Sequence, residues 1–181
     1  LADVLRPDSK KMISDLSSLG INQTFLLTGD RKEIADIIAS EAGIQTSFSE
    51  LLPEDKVEIL EKILNTNKKS QLAFVGDGIN DAPVLARANV GIAMGAFGSD
   101  AAVEAADVVI MTDDISRLAT MIKIARKTLS IAKQNVIFAL SIKGLVLILG
   151  ALGFATMWAA VFADVGVTLI AILNSMRALK L

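Results

Sequence analysis

The sequence predicts an α/β domain built on a parallel sheet, followed by an α-helical transmembrane hairpin. Three observations carry this. Short apolar runs recur, and several pass through a Gly- or Asp-bearing turn into a stretch with apolar residues at helical spacing, the alternation a doubly wound parallel sheet produces. Charges are frequent as far as Lys133 and rare beyond it, so the 52% hydrophobic content is a local excess. That excess lies in two stretches, each close to the ~20 residues needed to cross a bilayer's hydrocarbon core.

Taken in order, residues 1–19 open with Asp3, Arg6 and Pro7 and then turn helical. Asp8 or Ser9 is placed to cap, Met12, Ile13, Leu16 and Leu19 share a face, and Gly20 is a stop. Thr24-Phe25-Leu26-Leu27 reads as a strand ending in Thr28-Gly29-Asp30. A second helix places Ile34, Ile37, Ile38 and Ala42 on one side, with Gly43 beyond it. Pro53-Glu54-Asp55-Lys56 opens a third, carrying Val57, Ile59, Leu60 and Ile63, and a polar loop over 65–70 leads to a strand at 72–75. Two further strands are expected at 90–94 and 107–111, separated by a short helix over 99–106.

Composition removes several functions. There is no cysteine, hence no disulfide framework and no thiolate metal site in this span. Without histidine there is no imidazole ligand and no ordinary neutral-pH base. A net charge of -2 gives no nucleic-acid footprint. The sequence starts at Leu1 without an initiator methionine and is expected to be a piece of something longer.

The chemistry concentrates where strands end. Val75-Gly76-Asp77-Gly78-Ile79-Asn80-Asp81-Ala82-Pro83 places two carboxylates between a strand and a helix, with glycines permitting a tight turn. Paired aspartates there suit a hard cation such as Mg²⁺, which takes oxygen ligands and often keeps a phosphate among them. Thr28 is positioned to donate its hydroxyl to a phosphate oxygen, assisted by the Gly29 amide. Lys56, near a helix N-terminus, can neutralise charge as a phosphoryl group transfers. Singly, each has a plainer reading: Thr28 a cap, Lys56 a solvated helix residue, Asp77 a turn. In the order Thr, Lys, paired Asp they form a phosphoryl-transfer set, which needs positioning and electrostatics more than unusual chemistry.

Residues 115–133 form a basic amphipathic pattern with Lys123, Arg126, Lys127 and Lys133. It is either a partner face or a membrane-surface element. It leads into the apolar stretch 135–155, broken by one charge, Lys143, and after a turn near 153–157 a second runs from Trp158 to about Met176, again with one charge, Asp164. Positive residues flank both outer ends, so both are expected on the cytoplasmic side. At ~1.5 Å per residue, Lys143 and Asp164 sit roughly 12 Å and 20 Å in from that side, a gap a lysine side chain largely covers. Their meeting would be either a permanent salt bridge or a cation-binding carboxylate whose ammonium takes the cation's place. Gly166 would let a neighbouring helix approach closely.

The string Gly76-Asp77-Gly78-Ile79-Asn80-Asp81-Ala82-Pro83 resembles the Mg²⁺ motif of the haloacid-dehalogenase superfamily in the form carried by P-type ATPases. With Arg6-Pro7-Asp8-Ser9-Lys10, Thr28-Gly29-Asp30, Pro53-Glu54-Asp55-Lys56, Gly98-Ser99-Asp100-Ala101-Ala102 and Glu104-Ala105-Ala106-Asp107, essentially the whole chain is similar to the C-terminal third of a heavy-metal-transporting P-type ATPase. The resemblance implies that residues 1–112 are the second part of the phosphorylation domain, 113–134 a linking helix, and 135–181 the last two membrane helices. It implies phosphoryl contacts from Thr28, Gly29, Asp30 and Lys56, Mg²⁺ at Asp77 and Asp81, and support from Asn80. Asp164-Val165-Gly166 and Lys143 match the zinc/cadmium/lead branch, making Asp164 a ligand of the transported divalent ion and Lys143 its counter-ion.

ATP is then the substrate, and the partners are the heavy-metal ion, the lipid bilayer and the N-terminal portion of the same pump. The nucleophilic Asp-Lys-Thr-Gly-Thr does not occur in this sequence. By the family pattern it lies upstream, on a central strand between the Thr28 and Asp77 strands, so the sheet is expected to be incomplete and the chain alone inactive. A membrane-tethered phosphatase of the same superfamily, or a non-catalytic fragment, are the other classes the sequence admits.

Overall fold

The computed structural model describes residues 8–66, 70–76, 79–95, 100–154 and 156–180. Arg6, Pro7, Asp77, Gly78, Gly98 and Ser99, all singled out by the sequence, lie outside the described residues. The chain divides into two compact units, residues 1–119 and 120–181.

The first unit alternates helices and strands: α1 (Ser9–Ser18), β1 (Phe25–Leu27), α2 (Lys32–Ala42), β2 (Thr46–Phe48), α3 (Pro53–Thr66), β3 (Ala73–Gly76), α4 (Ala82–Arg87), β4 (Val90–Met94), α5 (Asp100–Ala105) and β5 (Val108–Ile110). A 3₁₀ turn, Ile79–Asp81, precedes α4. All pairings are parallel. They form two sheets, β1-β2 and β3-β4-β5, not hydrogen-bonded to each other among the described residues. The four strands expected from the sequence are present to within about a residue at each end.

β2 was not expected. Thr46-Ser47-Phe48 has no apolar run and only partial burial, so nothing in its periodicity marks a strand. It exists because β1 gives it a partner: Phe25 pairs with Thr46 and Leu27 with Phe48, and the Phe25 and Phe48 rings stack with centroids 6.4 Å apart.

The core of this unit gathers Leu85, Ala93 and Ala102, with Phe74, Ala105, Ala106 and Val109 packed against them. Small residues let α4 and α5 lie close to the sheet. Gly91 shows how close: a Cβ there would stand 2.5 Å from the Leu85 carbonyl oxygen. The Asp107 carboxylate accepts the Gly91 N–H at 2.8 Å, and the Asp107 N–H donates to the Gly91 carbonyl at 2.9 Å, tying the start of β5 to β4.

The second unit is a helical hairpin. The basic stretch and the first apolar span lie on one helix, α6, which runs unbroken from Arg117 to Ala151, 35 residues. No glycine or proline lies between Arg117 and Lys143 to interrupt it. It ends at Gly153 (φ +78°), where the Gly153 N–H donates to the Gly150 carbonyl and the Phe154 N–H to the Leu149 carbonyl, the paired terminal bonds of a glycine-stopped helix. α7 (Met157–Ser175) starts at Thr156, whose hydroxyl accepts the Ala159 N–H at 3.3 Å. It continues as a 3₁₀ turn, Met176–Lys180. Ile137, Leu140, Leu147, Phe162 and Leu173 are exposed on the hairpin. Helices that are apolar on their outer faces require hydrocarbon rather than water around them.

Candidate active site and an intramembrane ion pair

In the first unit, chain turns bring the candidate groups toward one another. After β1, the Thr28 hydroxyl donates to Asp30 Oδ2 at 2.8 Å and accepts the Asp30 N–H at 3.1 Å. The loop after β2 clasps this turn: Leu51 N–H donates to the Thr28 carbonyl and Glu50 N–H to the Asp30 carbonyl. Gly29 lies so near that a Cβ would meet the Leu51 oxygen at 3.2 Å. The same loop opens α3, with Pro53 in its first turn and Asp55 reaching back to accept the Leu52 N–H at 2.9 Å. One residue on, Lys56 N–H donates to the Leu52 carbonyl and starts the helical ladder.

Lys56 then projects onto Asp81. Its Nζ lies 2.9 Å from Asp81 Oδ1, with side chains only 18% and 13% exposed. Asp81 occupies the N-cap position of α4 yet makes no side-chain cap hydrogen bond, so its carboxylate is committed to Lys56. Asp81 also lies over Gly76, where an added Cβ would meet Asp81 Cβ at 2.8 Å and Oδ2 at 2.9 Å. Gly76 is thus required by the carboxylate above it. Asn80 is exposed beside this pair. A continuous chain of contacts therefore links Thr28, the 50–52 loop, Lys56 and Asp81. Asp77 lies outside the described residues.

Among the described residues no three His, Cys, Asp or Glu side chains converge on one point. A Mg²⁺ ion needs only one or two carboxylates beside phosphate oxygens and waters. Asp81, with one oxygen on Lys56, has a second oxygen to offer.

In the hairpin, Lys143 of α6 and Asp164 of α7 form an ion pair, Nζ to Oδ1 2.9 Å. They share a groove of about 610 Å³ with Ala139, Thr168, Ala171 and Ser175. The Thr168 hydroxyl donates to the Asp164 carbonyl at 2.9 Å. A second polar contact joins the same helices through Asn135, Asn174 and Ser175. Sequence reasoning passed over these three because they sit at the edges of apolar stretches. Their signal was the polar pair Asn174-Ser175 inside the last helix.

Residues 1–89 match the haloacid dehalogenase-like hydrolase model. The chain is 53% identical over 180 residues to a zinc-transporting ATPase of Synechocystis sp., covering 99% of this chain and 25% of that protein. It is 54% identical over 184 residues to a cadmium, zinc and cobalt-transporting ATPase of Bacillus subtilis, covering 100% and 26%. A crystal structure of a zinc-transporting PIB-type ATPase in the E2.Pi state superimposes with a TM-score of 0.89 at 42% identity, over 98% of this chain and 28% of that one. Over nearly its whole length the chain is similar to heavy-metal-transporting P-type ATPases. It spans about a quarter of the length of the curated relatives it matches. α6 and α7 are both long and apolar enough to cross a bilayer, which fits a multi-pass membrane protein.

Proposed function

We propose that this chain is part of an ATP-driven exporter of divalent heavy-metal ions, Zn²⁺, Cd²⁺ or Pb²⁺, that works through an aspartyl-phosphate intermediate whose nucleophile lies outside the sequence. The observation that carries the reading is the Lys143–Asp164 pair in an apolar hairpin, joined in one chain to a haloacid-dehalogenase-like unit with Thr28, Lys56 and Asp81 in contact sequence. Neither half alone is specific. Together they are a phosphoryl-transfer site and a charged membrane site in one molecule.

In this reading residues 1–112 serve the phosphoryl chemistry, 113–134 link, and 135–181 cross the membrane with both outer ends cytoplasmic. The Thr28 hydroxyl turns from Asp30 to a phosphoryl oxygen, helped by the Gly29 amide, while Asp30 keeps the hydroxyl oriented. Lys56 neutralises charge on the transferring group, and Asp81 aims it. Mg²⁺, when held by Asp77 and Asp81, supplies further positive charge to the phosphoryl oxygens. Asn80 supports that turn.

Asp164 binds the exported cation as a hard oxygen ligand, and Lys143 reoccupies the carboxylate when the cation leaves. A carboxylate with a competing ammonium favours a divalent ion over Cu⁺, which prefers soft sulfur. The test is Asp164→Ala in the full-length protein. Metal-stimulated ATPase activity should disappear while phosphorylation from inorganic phosphate persists, and unchanged metal stimulation would remove Asp164 from the transport site.

A further inference from the structure

We propose that Asn135 is a positioning residue that fixes the register of α6 against α7 and so sets how firmly Lys143 occupies Asp164; this rests on the transport reading above. Asn135 uses its whole amide. Its Nδ2 donates to the Ala171 carbonyl at 3.2 Å and to Ser175 Oγ at 2.9 Å, and its Oδ1 accepts from Asn174 Nδ2 at 2.8 Å. Asn174 Oδ1 in turn accepts from Arg177 Nη1 at 2.9 Å. The direction of this relay is set at both ends by groups that cannot exchange roles, a guanidinium that only donates and a carbonyl that only accepts. Aspartate at 135 would lose the donors, and serine would have one.

The relay and the ion pair are two rungs of one interface. Asn135, Ala139 and Lys143 follow at four-residue spacing on one face of α6. Asp164, Thr168, Ala171 and Ser175 do the same on α7 at spacings of four, three and four. From Asn135 to Lys143 is ~12 Å along α6, and from Ser175 to Asp164 ~16 Å along α7. The lysine side chain spans the difference. A slip of one helical turn, ~5.4 Å, would carry Nζ out of reach of the carboxylate. Ala171 offers a backbone carbonyl, which cannot rotate away, so Asn135 reads axial position directly.

Loosening the rung weakens the ammonium's hold on Asp164. A cation then displaces it at lower concentration, and the ammonium returns more slowly when the cation must leave. KM for the metal and kcat should fall together. Damage to folding alone would lower kcat and leave KM unmoved.

The experiment measures ATPase activity of the full-length protein against Zn²⁺ concentration for Asn135→Ala, Lys143→Ala and the double variant. Asn135→Ala should lower the half-maximal Zn²⁺ concentration about threefold, the usual size of a hydrogen-bond contribution between membrane helices. Lys143→Ala should shift it further in the same direction, and the double variant should match Lys143→Ala, because Asn135 acts through that lysine. Ser175→Ala, which leaves the carbonyl and Asn174 contacts in place, should give a smaller shift of the same sign. An unchanged KM in Asn135→Ala, or shifts that add in the double variant, would overturn the proposal while leaving transport at Asp164 intact. If Lys143→Ala and Asp164→Ala also left the metal dependence unchanged, the transport reading would fall with it.

Discussion

The two units each contain a lysine–aspartate pair at 2.9 Å, and the resemblance ends at that distance. Lys56 and Asp81 are covered by the helices and turns that carry them, 18% and 13% exposed, whereas Lys143 and Asp164 are 58% and 62% exposed on the hairpin. In the first unit the protein is the solvent of the pair and fixes its partners. In the hairpin the chain supplies the two charges and their register, and the surroundings set the rest. The glycines repeat the contrast. A Cβ at Gly76 or Gly91 collides with atoms of this chain, while at Gly144, Gly150 and Gly166 it would meet nothing within 4 Å. One unit is specified by contacts within itself, the other by a face that it presents.

Substitutions can break or sharpen this contrast. The largest loss of stability is expected for Gly91→Ala, about 3 kcal/mol in denaturant unfolding, because the new methyl meets backbone that cannot swing aside. Gly166→Ala should leave unfolding unchanged, and an equal loss there would show that the hairpin glycines are packed within this chain. Lys56→Met should cost about 2 kcal/mol by leaving a largely covered carboxylate without its cation, and on the proposed function it should also abolish phosphoenzyme formation by the full-length protein. Lys143→Met should leave the stability of the first unit unmoved. Arg87→Ala removes a pair with Glu61 whose side chains are 66% and 46% exposed, and should cost no more than about 0.5 kcal/mol.

The smallest effect is one of pH. Asp114 is held below its ordinary value near 3.8, first by the hydrogen bond from the Ser116 side chain, then by the Ser116 N–H, with Arg117 adding less. A carboxylate lowered on folding contributes stability above its unfolded value and loses it as pH falls through the folded one. Amide exchange in the first turn of α6, corrected for intrinsic rates, should therefore quicken below about pH 4. No such change is expected at the α7 start, where Thr156 caps without a titrating group.

Strands β1, β3, β4 and β5 were legible because each is an apolar run next to a turn, and local pattern is what sequence displays. Thr46-Ser47-Phe48 was not, since its strand character comes from β1 rather than from itself. The Thr28, Lys56 and Asp81 candidates were legible as residue types at strand ends and helix starts. That Asp81 binds Lys56 in place of capping α4 depends on packing across 25 residues of sequence, and no periodicity encodes it. In the hairpin, depth arithmetic was enough to bring Lys143 to Asp164. Asn135 was hidden because an amide at the edge of an apolar stretch reads as a boundary until its partners, 36 to 40 residues away, are in view.

The division of the strands into two sheets governs how the isolated chain behaves in a test tube. Among the described residues β1 and β3 each pair on one side only, leaving rows of N–H and C=O groups that another copy can use as a template. The edges are three and four residues long, too short to hold a neighbour firmly. Detergent would disperse the hairpin without shielding either edge. Light scattering from the detergent-solubilised chain should therefore rise with concentration and fall again on dilution, and an added peptide able to lie along those edges should suppress it.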